Sequence, residues 1–427
     1  MTTERWVLLG LAPARAEWFR DVTRWVSSAA VPAEFVKCMS AEEVRARLTS
    51  GRSWSALLVD ASASGFDRDL VAAALAWRTP VLVVAEDPTV LPWSAADLGV
   101  AAVLPATFGR EELVEVLVAH AAPIGNADAL PAPFGDPPPV VWKGRFVVVC
   151  GPGGTGASTI AVAAAQGLAG DVRYGRGVVL ADLALRADQA MLHDAVDLGP
   201  GLQELVESHR LGQPDRAEVG AHTFEVPSRG YRLVLGLRRP EAWAALRPRA
   251  VEAALDSLRR CFPLVVADVT GDLEGAAEGG SADVEERNHA ARASVRQADV
   301  VLAVGAPGLK GIHSLAALLG AIATIGVDPG RVLPVINRAP RDPRARTELS
   351  RALAVLAPDA SGLASPVWVR ERKLEPAWRD GTPLPAAVVE PVTEAITACL
   401  DRRRPRPARP LTPERIAPGS IGVWGAD

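Results

Sequence analysis

Apolar and polar positions change period repeatedly along this chain. RWVLLGLA is a continuous apolar run of strand length, and AEWFRDVTRWVSSA after it carries its apolar residues at helical spacing. The alternation continues with EFVKCMS as a short strand and SAEEVRARLTSG as a helix, then WSALLVDAS, FDRDLVAAALAWR and TPVLVVAED as strand, helix and strand. A short helix near residues 93–98, the strand AAVLPA and the helix REELVEVLVAH complete the series. Ser40 ahead of Glu42 and Glu43 marks a helix start, because a hydroxyl and first-turn carboxylates meet unpaired N–H groups and the positive end of the helix dipole. Residues 1–120 therefore predict a small doubly wound α/β domain.

Residues 121–142, AAPIGNADALPAPFGDPPPVVW, have no period and are rich in Pro and Gly, as expected of a linker. Beyond Lys143 the strand-like runs RFVVVC, GVVLADLAL, YRLVLGL, FPLVVADV, DVVLAVGAP and RVLPVINRA are nearly continuous in apolar residues. Helical patterns lie between them, in STIAVAAAQGLAG, GLQELVESHR and PEAWAALRPRAVEAALDSLRR. Strands without polar alternation are covered on both faces, which predicts a mainly parallel sheet over residues 143–400. The stretch EGAAEGGSADVEERNHAA, residues 274–291, reads as a polar insert of loop character. Residues 401–427 read as a polar tail that does not pack.

Composition narrows the function classes. The chain has 427 residues, 49% hydrophobic and 22% charged, with a net charge of -4, which fits globular domains and offers no general attraction to nucleic acid. No apolar run has the length of a membrane span, so the expected location is cytoplasmic. Cys38, Cys150, Cys261 and Cys399 are scattered without metal or redox spacing and read as buried small hydrophobes. The six histidines form no ligand pair, and no G-x-S-x-G elbow occurs.

The candidate chemistry lies at CGPGGTGASTI, residues 150–160, a glycine-rich turn between a strand and a helix. Glycines let a backbone bend so that successive N–H groups converge on an anion, and the helix adds its positive end. Gly153, Gly154, Thr155, Gly156, Ser158 and Thr159 are the candidate phosphate-binding residues, with the Ser158 hydroxyl placed to meet Mg²⁺. GPGGTGAS resembles G-x-x-x-x-G-K-[ST], with Ala157 at the lysine position. Asp182 and Asp268 each end an apolar strand, and Asn337 stands near the end of another.

The ordered set of variant loop, Asp182, GLQELVES, YRLVLGL, VVADV, ADVVLAVGAP and VINR resembles the CpaE/TadZ branch of the ParA/MinD superfamily. The resemblance covers residues 143–400 and is closest to the actinobacterial CpaE-like group, described as septum site-determining proteins. It implies a P-loop NTPase-like domain of ParA/MinD type, preceded by a degenerate receiver-like domain. The deviant loop K-G-G-x-G-K-[ST] of that family falls on residues 152–158, with Pro152 and Ala157 in place of both lysines. In the family the first lysine reaches across a nucleotide-sandwiched dimer and the second cradles the β- and γ-phosphates. Asp182 takes the place of the first acid of a D-x-D switch, whose second acid is here Ala184, and Asp268 that of the Walker B acid. With Ser158 these two are the Mg²⁺-side and catalytic candidates, and Asn337 the adenine-recognising one. The implied cofactors are ATP or ADP with Mg²⁺, or none where the loop is a non-functional remnant. The implied role is spatial regulation of septum formation or of a Tad-type secretion or pilus system, through protein contacts and as a homodimer. Recruitment to a pole, septum or inner membrane face accompanies that role, and no specific nucleic acid is expected. Loss of both lysines predicts at most weak nucleotide binding and poor turnover, since stabilising a transferring phosphoryl group is an electrostatic task. The alternative is an active switch cycling between ATP and ADP states. In the first domain Asp60 stands where a receiver's phosphoacceptor would be, but LLGLAPA carries no acidic pair and VLPATF no lysine, so Asp60 reads as a strand-end aspartate.

Overall fold

The computed structural model describes residues 5–13, 16–91, 93–124, 142–175, 177–275, 281–357 and 362–402. Most of the expected linker, residues 125–141, and the tail from residue 403 onward lie outside the described residues.

In the first unit β1 (Trp6–Leu11), β2 (Ala33–Cys38), β3 (Ala56–Asp60), β4 (Val81–Ala85) and β5 (Ala102–Pro105) form a parallel sheet ordered β2-β1-β3-β4-β5. The helices α1 (Glu17–Ser27), α2 (Ala41–Leu48), α3 (Arg68–Ala76), α4 (Ala95–Leu98) and α5 (Arg110–His120) alternate with the strands. This order is the flavodoxin type of doubly wound topology. Alternation within the strands closes both faces: Leu9, Leu57 and Val83 pack with Val44 and Leu70, while Leu8, Leu58 and Leu82 pack with Trp18 and Leu113. Ser40 accepts from the Glu43 N–H at 3.2 Å, the cap expected from its sequence position. The Asp60 carboxylate is engaged by Trp18 Nε1 at 2.8 Å and by the Ser62 N–H and hydroxyl at 2.9 and 2.6 Å.

The second unit holds β6 (Arg145–Gly151), β7 (Val178–Asp182), β8 (Phe224–Val226), β9 (Tyr231–Val234), β10 (Leu264–Thr270), β11 (Val300–Gly305), β12 (Val332–Ala339) and β13 (Val367–Arg370). Their order is β13-β12-β11-β6-β10-β7-β9-β8, and only β8 runs antiparallel, against β9. Its helices are α6 (Ala157–Ala169), α7 (Gln189–Leu192), α8 (Leu202–Ser208), α9 (Arg216–Ala221), α10 (Pro248–Cys261), α11 (Ala282–Gln297), α12 (Leu309–Thr324), α13 (Pro343–Leu356), α14 (Glu375–Arg379) and α15 (Ala386–Arg402). Val147 and Val149 of β6 pack toward α6 and α15, and Phe146, Val148 and Cys150 pack toward α10, α11 and α12. Both faces of the central strands are thus buried, which is why their sequences carry no polar alternation. All four cysteines are buried free thiols.

The segment 274–291 differs from its expected loop character. Its second half belongs to α11, where Asn288, Ala291, Ser294 and Val295 are buried. Small residues on that face let the helix approach the sheet, and they hide the apolar period that a larger side chain would show.

The two units meet where α3 lies against α10. The Arg68 guanidinium donates to the carbonyls of His209 (3.4 Å) and Gly212 (3.2 Å), and the Arg249 N–H donates to Asp69 at 3.0 Å. Asp67, 1% exposed, caps α3 and stands 3.8 Å from Arg247.

α6 and α15 approach closely at Gly167, where an added Cβ would lie 1.8 Å from Thr393 Oγ1 and 2.8 Å from Val389 Cγ1. Gly167→Val is expected to destabilise the second unit by about 2–3 kcal/mol through overpacking. Urea unfolding would show this as a lower midpoint at an unchanged slope.

Candidate functional site

β6 ends beside β11 and β10, so the turn after it sits at the point where the chain's crossovers diverge to opposite sides of the sheet. In open α/β sheets this edge, at the carboxyl ends of the strands, forms a crevice. Here it holds a cavity of about 460 Å³ lined by Gly151–Gly154, Gly156–Thr159, Ala184–Arg186, Asp268 and Arg338, among others.

The loop holds its shape through its own contacts. The Thr155 hydroxyl and N–H both donate to the Pro152 carbonyl, at 2.7 and 3.2 Å, so this side chain closes the turn. Gly154 and Gly156 have φ of +80° and +83°. At Gly156 a Cβ would also lie 2.4 Å from Asn337 Nδ2. No side chain caps α6, which leaves its first-turn N–H groups free for an anion.

Asn337 is committed to this loop. Its Nδ2 donates to the Thr155 carbonyl at 2.9 Å, and its Oδ1 accepts from the Arg338 N–H at 2.9 Å. The next residue, Arg338, has φ of +54°, a left-handed backbone that a non-glycine residue holds at some strain. Its guanidinium donates to the Gly154 carbonyl.

Asp182 and Asp268 lie on neighbouring strands directly opposite each other, 0% and 1% exposed. Gln189, at the start of α7, bridges them: its N–H donates to Asp182 at 2.9 Å and its Nε2 to Asp268 at 2.7 Å. Asp182 also accepts from the Ala184 N–H at 3.2 Å. Burial pushes the Asp182 carboxyl well above the usual range, and the neighbouring Asp268 adds to this. Burial raises Asp268 to about 6, against the hydrogen bonds from Gln189 and Ser158.

These residues fit a hard cation. The carboxylates and the Ser158 hydroxyl are oxygen donors, and buried Gln189 Oε1 has no hydrogen-bond partner. No group of three or more His, Cys, Asp or Glu positioned for a metal occurs among the described residues. A Mg²⁺ ion here would therefore take its remaining oxygens from water and phosphate, its usual habit.

The structure thus brings Gly153, Gly154, Gly156, Ser158, Thr159 and Asp268 to one cavity. Asp182 sits behind it through Gln189. Thr155 braces the loop from within and Asn337 from outside. Three contributors carried no role in the sequence reading: Gln189, Arg186 and Arg338. Arg186 and Arg338 place positive charge on a cavity wall that, among the described residues, carries no lysine. Their positions just after Asp182 and Asn337 were the available signal.

No protein-family model matches the chain, and no curated protein matches it. Among solved structures it is similar to a ParA family ATPase from Chlorobium tepidum TLS, at 14% identity and a TM-score of 0.48, over 59% of this chain and 98% of that one. It is also similar to the cell division ATPase MinD of Pyrococcus furiosus, at 18% identity and a TM-score of 0.42, over 60% of this chain and 99% of that one. An ATP complex of a Cyanothece McdA variant aligns at 17% identity and a TM-score of 0.43, over 61% of this chain and 97% of that one.

Proposed function

We propose that this protein is a nucleotide-responsive spatial regulator of the CpaE/TadZ kind, which grips a nucleoside triphosphate at the loop after β6 and turns it over slowly. The observation that carries the reading is the cavity itself. An uncapped helix start and flexible glycines face two arginines and buried Asp268, while Pro152 and Ala157 stand where cationic side chains would act on the transferring phosphoryl group. Backbone N–H groups and arginines bind phosphate. Catalysis requires charge placed for the transition state, and guanidinium groups approaching from the strand ends are not placed as a loop lysine is.

In this reading Ser158 and Asp268, with Asp182 behind them, would hold Mg²⁺, which when bound neutralises phosphate charge. Asn337 keeps the loop in its anion-binding shape. Binding would displace Gln189 from the acidic pair and move α7, which converts occupancy of the cavity into a surface change that a partner can read. The first unit and the faces of the second would supply the contacts, as a homodimer, to division-septum or Tad-type secretion components at a pole, septum or inner membrane face. No helix among the described residues is long and apolar enough to cross a membrane, so recruitment to a membrane face would run through partners or the surface.

The test is calorimetric titration of nucleotide-free protein with ATP and Mg²⁺, followed by phosphate release from the same sample. The expected result is a dissociation constant of about 1–100 µM, roughly −8 to −5.5 kcal/mol, with turnover far below about 1 s⁻¹. No heat at millimolar ATP would remove the nucleotide from the reading. Turnover above that rate, lost in Asp268→Ala, would favour the second reading, an ATP/ADP switch, for which the retained Asp182 and Asp268 speak.

A further inference from the structure

We infer that a second anion subsite adjoins the phosphate loop, and that the ligand it selects is a nucleotide phosphorylated on its ribose as well as at its 5′ end. The inference rests on the phosphate-loop reading above and adds the class of ligand. β12 and β13 run parallel with Ala339 opposite Arg370, which brings residues 338–341 and 370–373 together at the edge of the sheet that carries the loop. Between them lies a cleft of about 640 Å³, lined by Arg338, Arg341, Arg370, Arg372 and Lys373. Among the described residues, Glu371 and Glu375 are the only acids on its wall.

Arg338 donates to the Gly154 carbonyl and Arg372 to the Glu371 carbonyl, and among the described residues none of the five cations has an ion-pair partner. Five cations gathered with two acids, and in no ion pair with them, repel one another, and a chain with a net charge of -4 has acids to spare for pairing them. Guanidinium groups converging on a cleft suit phosphate oxygens, which accept from them in pairs.

Arg338 lines both this cleft and the loop cavity, so the two volumes share one side chain as their wall. A nucleotide with its 5′ phosphates on the loop would reach past Arg338 into the cleft with its other end. A neutral base there would leave the cations uncompensated, whereas a second phosphate group would neutralise them. The cleft is concave and local, and the net charge is negative, which disfavours a nucleic-acid backbone needing a long basic stripe.

The test is calorimetric titration of the full chain with ADP and GDP and with their 3′-diphosphorylated counterparts, Mg²⁺ present throughout. At least one 3′-diphosphorylated form should bind about tenfold tighter or more than its parent. The double variant Arg370→Gln/Arg372→Gln, altered at two exposed positions, should lose that gain and keep parent-nucleotide affinity within about twofold. The gain should also shrink as salt is raised. Equal affinities for the paired nucleotides, or a gain that survives in the double variant, would overturn the inference. So would an unstructured oligonucleotide, or vesicles of anionic lipid, binding through the same arginines with no gain from a 3′ diphosphate. Should no nucleotide bind, inorganic tripolyphosphate separates the two readings. Its binding to the parent and not to the double variant would remove the phosphate-loop reading and keep the cleft as an anion site. No binding of tripolyphosphate would overturn both.

Discussion

Asp268→Asn is expected to unfold at a higher temperature than the parent chain at pH 8 when nucleotide and Mg²⁺ are absent. Burial raises this carboxyl from 3.8 to about 6, so between those values the native state holds a proton that the unfolded chain releases. Stability must then fall as pH rises through that window, and the full penalty remains above it. At about 1.4 kcal/mol per pKa unit, the burden on the folded state at pH 8 is about 3 kcal/mol. Asparagine keeps the shape and accepts from Gln189 Nε2 without carrying charge. The variant should therefore gain about 2–3 kcal/mol at pH 8 and only about 0.5 kcal/mol at pH 4. Buried His193, lowered to about 4, acts in the opposite direction, since the unfolded chain takes up a proton that the native imidazole refuses. That contribution is common to both proteins and cancels in their difference. Thermal unfolding of the two side by side from pH 4 to 8 checks the prediction. A variant less stable than the parent at pH 8, or a difference that does not change with pH, would refute it.

Ala157→Lys is expected to raise ATP turnover by about ten- to a hundredfold while changing affinity much less. Ala157 begins α6, half-buried, and lines the loop cavity with Asp268. A lysine there would meet developing phosphate charge and relieve the two buried carboxylates. A cation in the first turn of α6 opposes the helix dipole at a cost of about 0.3–1 kcal/mol, which leaves the helix formed. Phosphate release under single-turnover conditions reads the effect on chemistry apart from binding. An unchanged rate would mean that the missing lysine is not what slows this site. The parallel change Pro152→Lys separates the two positions, since only a residue that touches the phosphates within one chain should act in a monomer.

The strands after residue 143 were legible because a strand buried on both faces must be apolar throughout, and RFVVVC and FPLVVADV leave no other reading. The glycine loop was legible because a positive φ beside a helix start requires glycine, and the acids because an apolar run ends where the strand leaves the core. Other elements left weaker marks. The strand Phe224–Val226 is three residues long at a sheet edge and carries no period. Residues 282–297 hid a helix behind small buried residues and a polar surface. Asn337 was legible as a residue type, but the bond of its amide nitrogen to the Thr155 carbonyl was not, because only the approach of β12 to residue 155 decides it.

The sequence by itself determined two α/β units, their parallel strands, the loop after the first strand of the second unit and the two strand-end acids. These follow from local pattern: period, apolar run length and glycine placement act over a few neighbouring residues. Only the tertiary structure decided what surrounds the loop. It set Gln189 between two acids from different strands, turned Arg186 and Arg338 toward a wall without lysine, and brought residues 338–341 beside residues 370–373. The reason is that charge at a site is a sum over distances in space, and strand order and register fix those distances between segments far apart along the chain.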